Sequence, residues 1–389
     1  MGVRESGKRI YLALFYVCMA LGTLAKGPVA LFLAAVVIAL FAALTREWRL
    51  IARTLWLPGI VLFCALALPW YVAVEMRNPQ FFREFILKHN LARFSSDLYH
   101  HRQSFWYYLP VTVLALVPWT VFVIGAFFDS VRAWWAERKS VSAEPDFELQ
   151  LNLFACCWLV APVVFFSISQ SKLPGYILPA VPAGAVLLAD YLRRHLEQEE
   201  RLSKWLVALH AIVATAPIVP AVLIAHLVTE HRLPASRPML LAFGVMGVVS
   251  VAMALTLVSR LGLRMLRFVT LIPVVLAVAA VLKLGTTAID QTLSARPLKM
   301  EIASVETHPL PVAVYGVPRE LEFGLAFYRN QVIARYELGN VPAGEHLLVA
   351  PTWEQDIAKQ APGRRVLFLG HYAPQDLDYY WVSAAGAKP

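Results

Sequence analysis

Runs of about 20 apolar residues recur along this chain, and a run of that length has few places to go. A helix needs roughly 20 residues to cross ~30 Å of hydrocarbon. In lipid, only bundled helices or closed barrels satisfy every backbone N–H and C=O. The runs are continuously apolar rather than alternating, which selects helices over strands. Periodicity and breakers place spans near 8–24, 28–44, 54–75, 109–128, 151–169, 175–191, 205–228, 239–258 and 268–287. The expected fold is a polytopic α-helical membrane protein of about nine spans. Composition agrees: the 389 residues are 59% hydrophobic and 16% charged, against ~45–50% and ~25% in soluble domains.

The basic loops give the expected orientation. Arg4, Lys8 and Arg9 precede the first span, Arg46, Arg49 and Arg53 follow the second, and Arg132, Arg138 and Lys139 follow the fourth. Arg193, Arg194, Arg201 and Lys204 follow the sixth; Arg260, Arg264 and Arg267 follow the eighth. If spans alternate, all five groups share one side, which the positive-inside rule makes cytoplasmic. The N-terminus is then inside and the C-terminus outside. The net charge of +9 is accounted for by these short loops, so nucleic acid is excluded as a partner. Cys18, Cys64, Cys156 and Cys157 all fall in apolar runs and read as small packing residues. The Met-Gly start nominally fits a myristoylation pattern, but a chain with many spans gains little from an acyl anchor. No cleavable signal peptide is expected, since no small-residue cleavage site followed by a polar stretch ends the first run.

Residues 1–290 are expected to form the membrane part and residues 291–389 a small extracytoplasmic α/β domain. VAVYGV and RVLFLGHY read as strands, RELEFGLAFYR and TWEQDIAKQ as helices, with Pro318 and Pro351 just ahead of the helices. This region has neither a GxGxxG fingerprint nor a Walker loop, so no nucleotide is assigned to it. Its expected role is to cover the membrane site or to contact an acceptor.

Chemistry concentrates in four short stretches on the expected outer side. Between Arg77 and Trp119 lies a long polar interval that is basic although outside, against the orientation rule. One account is an interfacial amphipathic helix with Phe81, Phe82, Phe85, Ile86 and Leu91 dipping into lipid. The other is an anion held by cations. Within the interval, Arg93 has the donor fork that suits a phosphate, and His89 and Asn90 suit sugar hydroxyls or a metal. His101 heads a second group, HRQSFWYYLP, whose Tyr107 and Tyr108 present faces suited to a polyprenyl chain or a sugar ring. Lys26, in the Lys26-Gly27-Pro28 break, and Lys172 with Tyr176, in Ser171–Tyr176, complete the set. Glu75, Glu84 and Asp97 are the acids near this face, and Glu84 and Asp97 are the candidate catalytic carboxylates. His89 and His101 are the candidate ligands for a divalent metal, but two loop histidines do not make a site, so no cofactor is assigned.

Taken in order, KGP between two spans, HN-x-x-RF, H-R-Q-x-F-W-Y-Y-x-P, PW and SKLPGYILPA resemble the GT-C membrane glycosyltransferases of the aminoarabinose (lipid A) transferase and protein O-mannosyltransferase type. The resemblance covers about residues 10–192 well and the C-terminal region loosely. It implies transfer of a sugar from a polyprenyl-phosphate carrier to a lipid, glycan or protein acceptor at the outer face of the cytoplasmic (inner) membrane, with the C-terminal domain periplasmic or extracellular. By position, Arg93 would contact the carrier phosphate together with Lys26 and Lys172, and Asn90, His101, Tyr107, Tyr108 and Tyr176 would line the cavity. Ser104 stands where the family usually has proline. The family's first-loop acid and its Tyr-x-Lys-Pro-Pro segment have no counterpart here, and the chain matches the family pattern from its fifth span. The expectation is therefore a transferase lacking its N-terminal catalytic part, supplied by a separate N-terminal fragment or absent. The alternatives are a transporter or flippase, or a non-catalytic binder, of polyprenyl-linked saccharides. The spans hold few charges and no internal repeat, which counts against transport.

Overall fold

The computed structural model describes residues 2–83, 85, 103–138, 146–198, 202–230, 236–259, 262–354 and 357–384. The helices are α1 (Gly2–Lys26), α2 (Val29–Thr45), α3 (Arg49–Thr54), α4 (Leu57–Arg77), α5 (Tyr108–Ala115), α6 (Thr120–Glu137) and α7 (Phe147–Ile168). After them come α8 (Val181–Glu197), α9 (Lys204–Thr215), α10 (Ile218–Glu230), α11 (Ser236–Val258) and α12 (Leu266–Leu293). Among the described residues seven helical segments are long and apolar enough to cross a membrane; Phe105–Ala115 with Thr120–Glu137 makes an eighth if that bent pair is one span. Val29–Thr45 is apolar but shorter.

All nine expected apolar segments are helical, but the fourth is not straight. It bends by 112° between α5 and α6. Pro118 has no N–H to give the ladder, and Thr120 Oγ1 reaches back across the break to the Val113 carbonyl at 2.6 Å. The expected span near 205–228 is likewise two helices, meeting at Ala216 and Pro217.

The chain divides into two compact units, 1–216 with 246–274, and 217–245 with 275–389. In the first, α7 is the inner helix: half of its apolar span is buried, against 17% for α1 and for α4. Small residues allow this, with Ala155, Cys156, Cys157 and Ala161 all buried and their neighbours packed close. Asp146 caps α7 by accepting the Glu148 N–H at 3.2 Å. Asn152 of α7 donates to Asp190 of α8 at 2.6 Å, and Arg193 joins Asp190, Glu148 and Glu197 within 2.8 Å. All four cysteines are free.

In the second unit the end of α12 leads into α13 (Ala295–Val305), β1 (Val312–Val314), α14 (Arg319–Arg329), β2 (Ala334–Arg335), β3 (His346–Pro351), α15 (Ile357–Gln360), β4 (Val366–Tyr372) and β5 (Leu377–Val382). The strands form one mixed sheet in the order β2-β1-β3-β5-β4. β1 runs parallel to β2 and β3, while β5 is antiparallel to β3 and β4. The strands read as VAVYGV and RVLFLGHY and the helix RELEFGLAFYR are found. Of TWEQDIAKQ, only Ile357–Gln360 is helical among the described residues, because Pro351 ends a strand rather than heading a helix. β3 and β5 were not expected. β3 is buried along its whole length, so it carries no alternation to read, and it opens on a polar residue, His346. That histidine lies inside because both ring nitrogens are engaged, with Tyr336 Oη at 2.5 Å and the Gly344 carbonyl at 2.8 Å.

Candidate functional site

α7 stops at Ile168, and Ser169 turns the chain into extended geometry. The turn that follows is held from within and from outside. Ser169 Oγ donates to the Ser171 carbonyl at 3.1 Å. Tyr108, at the head of α5, is wholly buried; its hydroxyl donates to the Leu173 carbonyl at 3.0 Å and accepts the Leu173 N–H at 3.2 Å. Lys172 is thereby fixed between two clamped neighbours. The residue is 6% exposed, and its ammonium donates to the Ser169 carbonyl. A buried ammonium is costly to desolvate and needs oxygen around it.

Lys172 borders a cavity of about 520 Å³, whose wall also includes Gln103, Ser104, Phe105, Ser167, Ile168 and Gln170. Two segments therefore build it, the one entering α5 and the one leaving α7. Its lining offers one cation, two amides and two hydroxyls beside two apolar side chains. Behind it runs a chain of aromatic contacts: Tyr107–Tyr108 at 5.2 Å, Tyr108–Phe166 at 6.1 Å and Phe166–Tyr176 at 5.0 Å between ring centres. Ile177 and Ala180, in the 3-10 turn Pro174–Ala180, and Val29 of α2 pack on this cluster. Such rings stiffen a site through contact area and ring–ring geometry.

Of the residues singled out from the sequence, Lys172 reaches the cavity. Tyr108 and Tyr176 stand in the aromatic cluster that braces it, and Tyr107 packs against that cluster. Lys26 ends α1 and is exposed. It precedes Gly27, whose φ of +73° makes the turn into α2. Val29 carries that turn to the aromatic cluster, but Lys26 is not among the cavity residues. Glu75 accepts the Phe82 N–H at 2.9 Å, fixing the chain beyond α4. Glu84, His89, Asn90, Arg93, Asp97 and His101, with Ile86 and Leu91, lie outside the described residues. Among the described residues no three His, Cys, Asp or Glu side chains come together as a metal site. Gln103 and Gln170 were not foreseen. The available signal was that Gln103 lies in the HRQSFWYYLP stretch and Gln170 two residues before Lys172, and loop glutamines declare a cavity only once the segments meet.

No protein-family model matches this chain. The undecaprenyl phosphate-alpha-4-amino-4-deoxy-L-arabinose arabinosyl transferase of Photorhabdus laumondii is 35% identical over 175 residues, 45% of this chain and 29% of that protein. The transferase of the same description from Aeromonas hydrophila is 34% identical over 214 residues, 53% of this chain and 36% of that protein. The chain thus covers about a third of the length of these curated relatives. The crystal structure of ArnT from Cupriavidus metallidurans bound to undecaprenyl phosphate superposes with a TM-score of 0.68 over 99% of this chain and 71% of that one, at 24% identity. The fold is the ArnT fold. The apo form of the Cupriavidus ArnT gives a TM-score of 0.59 over 97% of this chain and 69% of that one, at 23% identity. The ArnT fold bears out the architecture expected from the sequence, apolar helices with a small C-terminal sheet.

Proposed function

We propose that this chain takes part in transferring a sugar from a polyprenyl-phosphate carrier to an acceptor at the outer face of the cytoplasmic membrane, with an aminoarabinose donor and lipid A as the first pair to test. The observation that carries this reading is Lys172, a nearly buried cation on the wall of a polar cavity, in a chain with the ArnT fold and relatives described as undecaprenyl-phosphate aminoarabinose transferases. In such a reaction an acceptor oxygen bonds to the anomeric carbon while the bond from that carbon to the phosphate oxygen breaks. The electron pair leaves with the phosphate. A fixed ammonium stabilises the charge that develops there, and it acts most strongly where water is scarce. Gln103 and Gln170 supply amide donors and acceptors for sugar hydroxyls. Arg93 is assigned to the same phosphate, as the family resemblance implies.

Among the described residues no carboxylate lines the cavity. We assign the group that takes the acceptor's proton to Glu84, to Asp97 or to a separate N-terminal fragment, as the reading of the sequence has it. The C-terminal domain is assigned to the periplasmic side.

The test is sugar transfer from the undecaprenyl-linked donor to lipid A in membranes, with and without the N-terminal segment of a relative co-expressed. Lys172→Met should lower the rate by roughly 100-fold or more, the scale of losing one charge-stabilising donor. Lys172→Arg should keep part of it. Unchanged transfer by Lys172→Met would remove Lys172 from the site, and no transfer by the wild-type chain under either condition would overturn the assignment.

A further inference from the structure

We propose that α3 and the groove beside it form a binding site for an anionic phospholipid of the bilayer, with the acyl chain in the groove and the phosphate on the arginines of α3. The groove has a volume of about 400 Å³ and is almost wholly apolar. Phe15 and Tyr16 come from α1, Leu31, Ala35 and Ile38 from α2, and Leu55 closes the end beyond α3. Alanines on the α2 wall leave the width for a chain. A concave apolar strip between two apolar helices in a bilayer is filled by lipid, and its end decides which lipid.

That end is basic and built. Arg49 and Arg53 are four residues apart in α3, hence on one face, and both are exposed, as is Arg46 at the end of α2. Glu47 is the single acid from residue 46 to residue 56, and among the described residues none of these three arginines forms an ion pair. Trp48 is 61% exposed, the position of an aromatic at the headgroup level.

Tyr16 makes the junction rigid. Its ring occupies the space a side chain on Gly59 would need, 2.1 Å from the place of a Cβ. Its hydroxyl donates to the Thr54 carbonyl at 2.7 Å and accepts the Trp56 N–H at 3.3 Å. Leu50 packs inward on the cluster around Phe41 and Leu153, which turns α3 with its arginines outward. Clustered guanidinium groups at the end of apolar helices select anionic headgroups over zwitterionic ones. The charge excess, three cations to one acid, therefore favours a phosphatidylglycerol-type lipid over phosphatidylcholine.

The experiment is native mass spectrometry of the purified full chain titrated with phosphatidylglycerol, phosphatidylcholine or undecaprenyl phosphate. The wild type should hold phosphatidylglycerol roughly tenfold more tightly than phosphatidylcholine, given the attraction of each basic residue to an anionic lipid surface. Arg46→Gln/Arg49→Gln/Arg53→Gln should bring the two to parity with phosphatidylcholine binding unchanged, and Arg53→Gln alone should lose part of the preference. Ala35→Trp, which fills the groove, should weaken both. Parity in the wild type, an undiminished preference in the triple or the single variant, or a triple variant that loses undecaprenyl phosphate as strongly as phosphatidylglycerol would each overturn the proposal.

Discussion

Two buried polar pairs in the C-terminal sheet region set its response to mutation and to pH. Arg329 donates to both oxygens of Glu306, at 3.0 and 2.6 Å, and to the Leu310 carbonyl at 2.9 Å. The side chains are 7% and 8% exposed. Removing one partner strands a charge away from water, so Arg329→Met should cost about 3–5 kcal/mol. Glu306→Leu/Arg329→Met should cost less than the single change. Hydrogen exchange of the β1 amides in the full chain reads both. At His346, the Gly344 carbonyl can only accept, so Nδ1 carries the proton and Nε2 accepts from the Tyr336 hydroxyl. Burial moves the pKa of His346 below its ordinary value, with the Gly344 bond opposing and the Arg364 charge adding to the shift. The unfolded chain takes up a proton near pH 6.5, whereas the folded one resists until lower pH. The contribution of His346 is thus complete above that value and declines as pH falls through it towards the folded pKa. Exchange protection of β3 should decrease over this interval, and His346→Gln should flatten the dependence.

At the scale of elements, close approaches decide which helices and strands meet. α1 meets α4 where the Tyr16 ring lies over Gly59. Gly59→Ala would push that ring off and release its two hydrogen bonds. We expect a loss of about 1–3 kcal/mol, as for overpacking elsewhere, read as a lower thermal midpoint in detergent. Tyr16→Phe keeps the ring and should cost only ~1 kcal/mol. In the sheet, a bulge between Phe368 and Gly370 lets the Tyr379 hydroxyl occupy the space of a Gly370 side chain. The glycines at 59 and 370 are plain in the sequence, but their tyrosine partners lie 43 and 9 residues away along the chain. Local pattern does not pair them.

For the molecule as a whole, the second unit contains both membrane-type helix and folded sheet, joined by more than a peptide link. Tyr372 Oη donates to the Gln291 carbonyl at 3.1 Å, and Gln375 Nε2 donates to the carbonyls of Gln291 and Ser294 at 3.1 and 2.8 Å. These are last-turn carbonyls of α12 and its following residue, which lack helical partners. Arg296 adds an ion pair to Asp290. Gly324 of α14 sits against Ala295, 2.8 Å from the place of its Cβ to the Ala295 Cβ. Tyr372→Phe/Gln375→Ala should loosen this joint, seen as faster limited proteolysis near Ser294 in the full chain.

Hydrophobic length alone made the apolar helices legible, because a bilayer accepts few structures and each run carries its own evidence. The turn at Ser171–Tyr176 was legible for a related reason: Gly, Pro and a cation between apolar runs mark a break wherever they occur. The helix-to-sheet joint and the two buried strands β3 and β5 were not, since each depends on partners distant in sequence; at the 112° bend Pro118 marks the break, but not its angle. The cavity is the clearest case. Lys172 can be picked out as a residue, but its burial follows from Tyr108 bonding to Leu173, 65 positions away. The glutamines share a cavity with it only because the entry to α5 meets the exit from α7. Composition and spacing state which groups a chain has; the low-dielectric setting that gives an ammonium its chemical force exists only after the segments have packed.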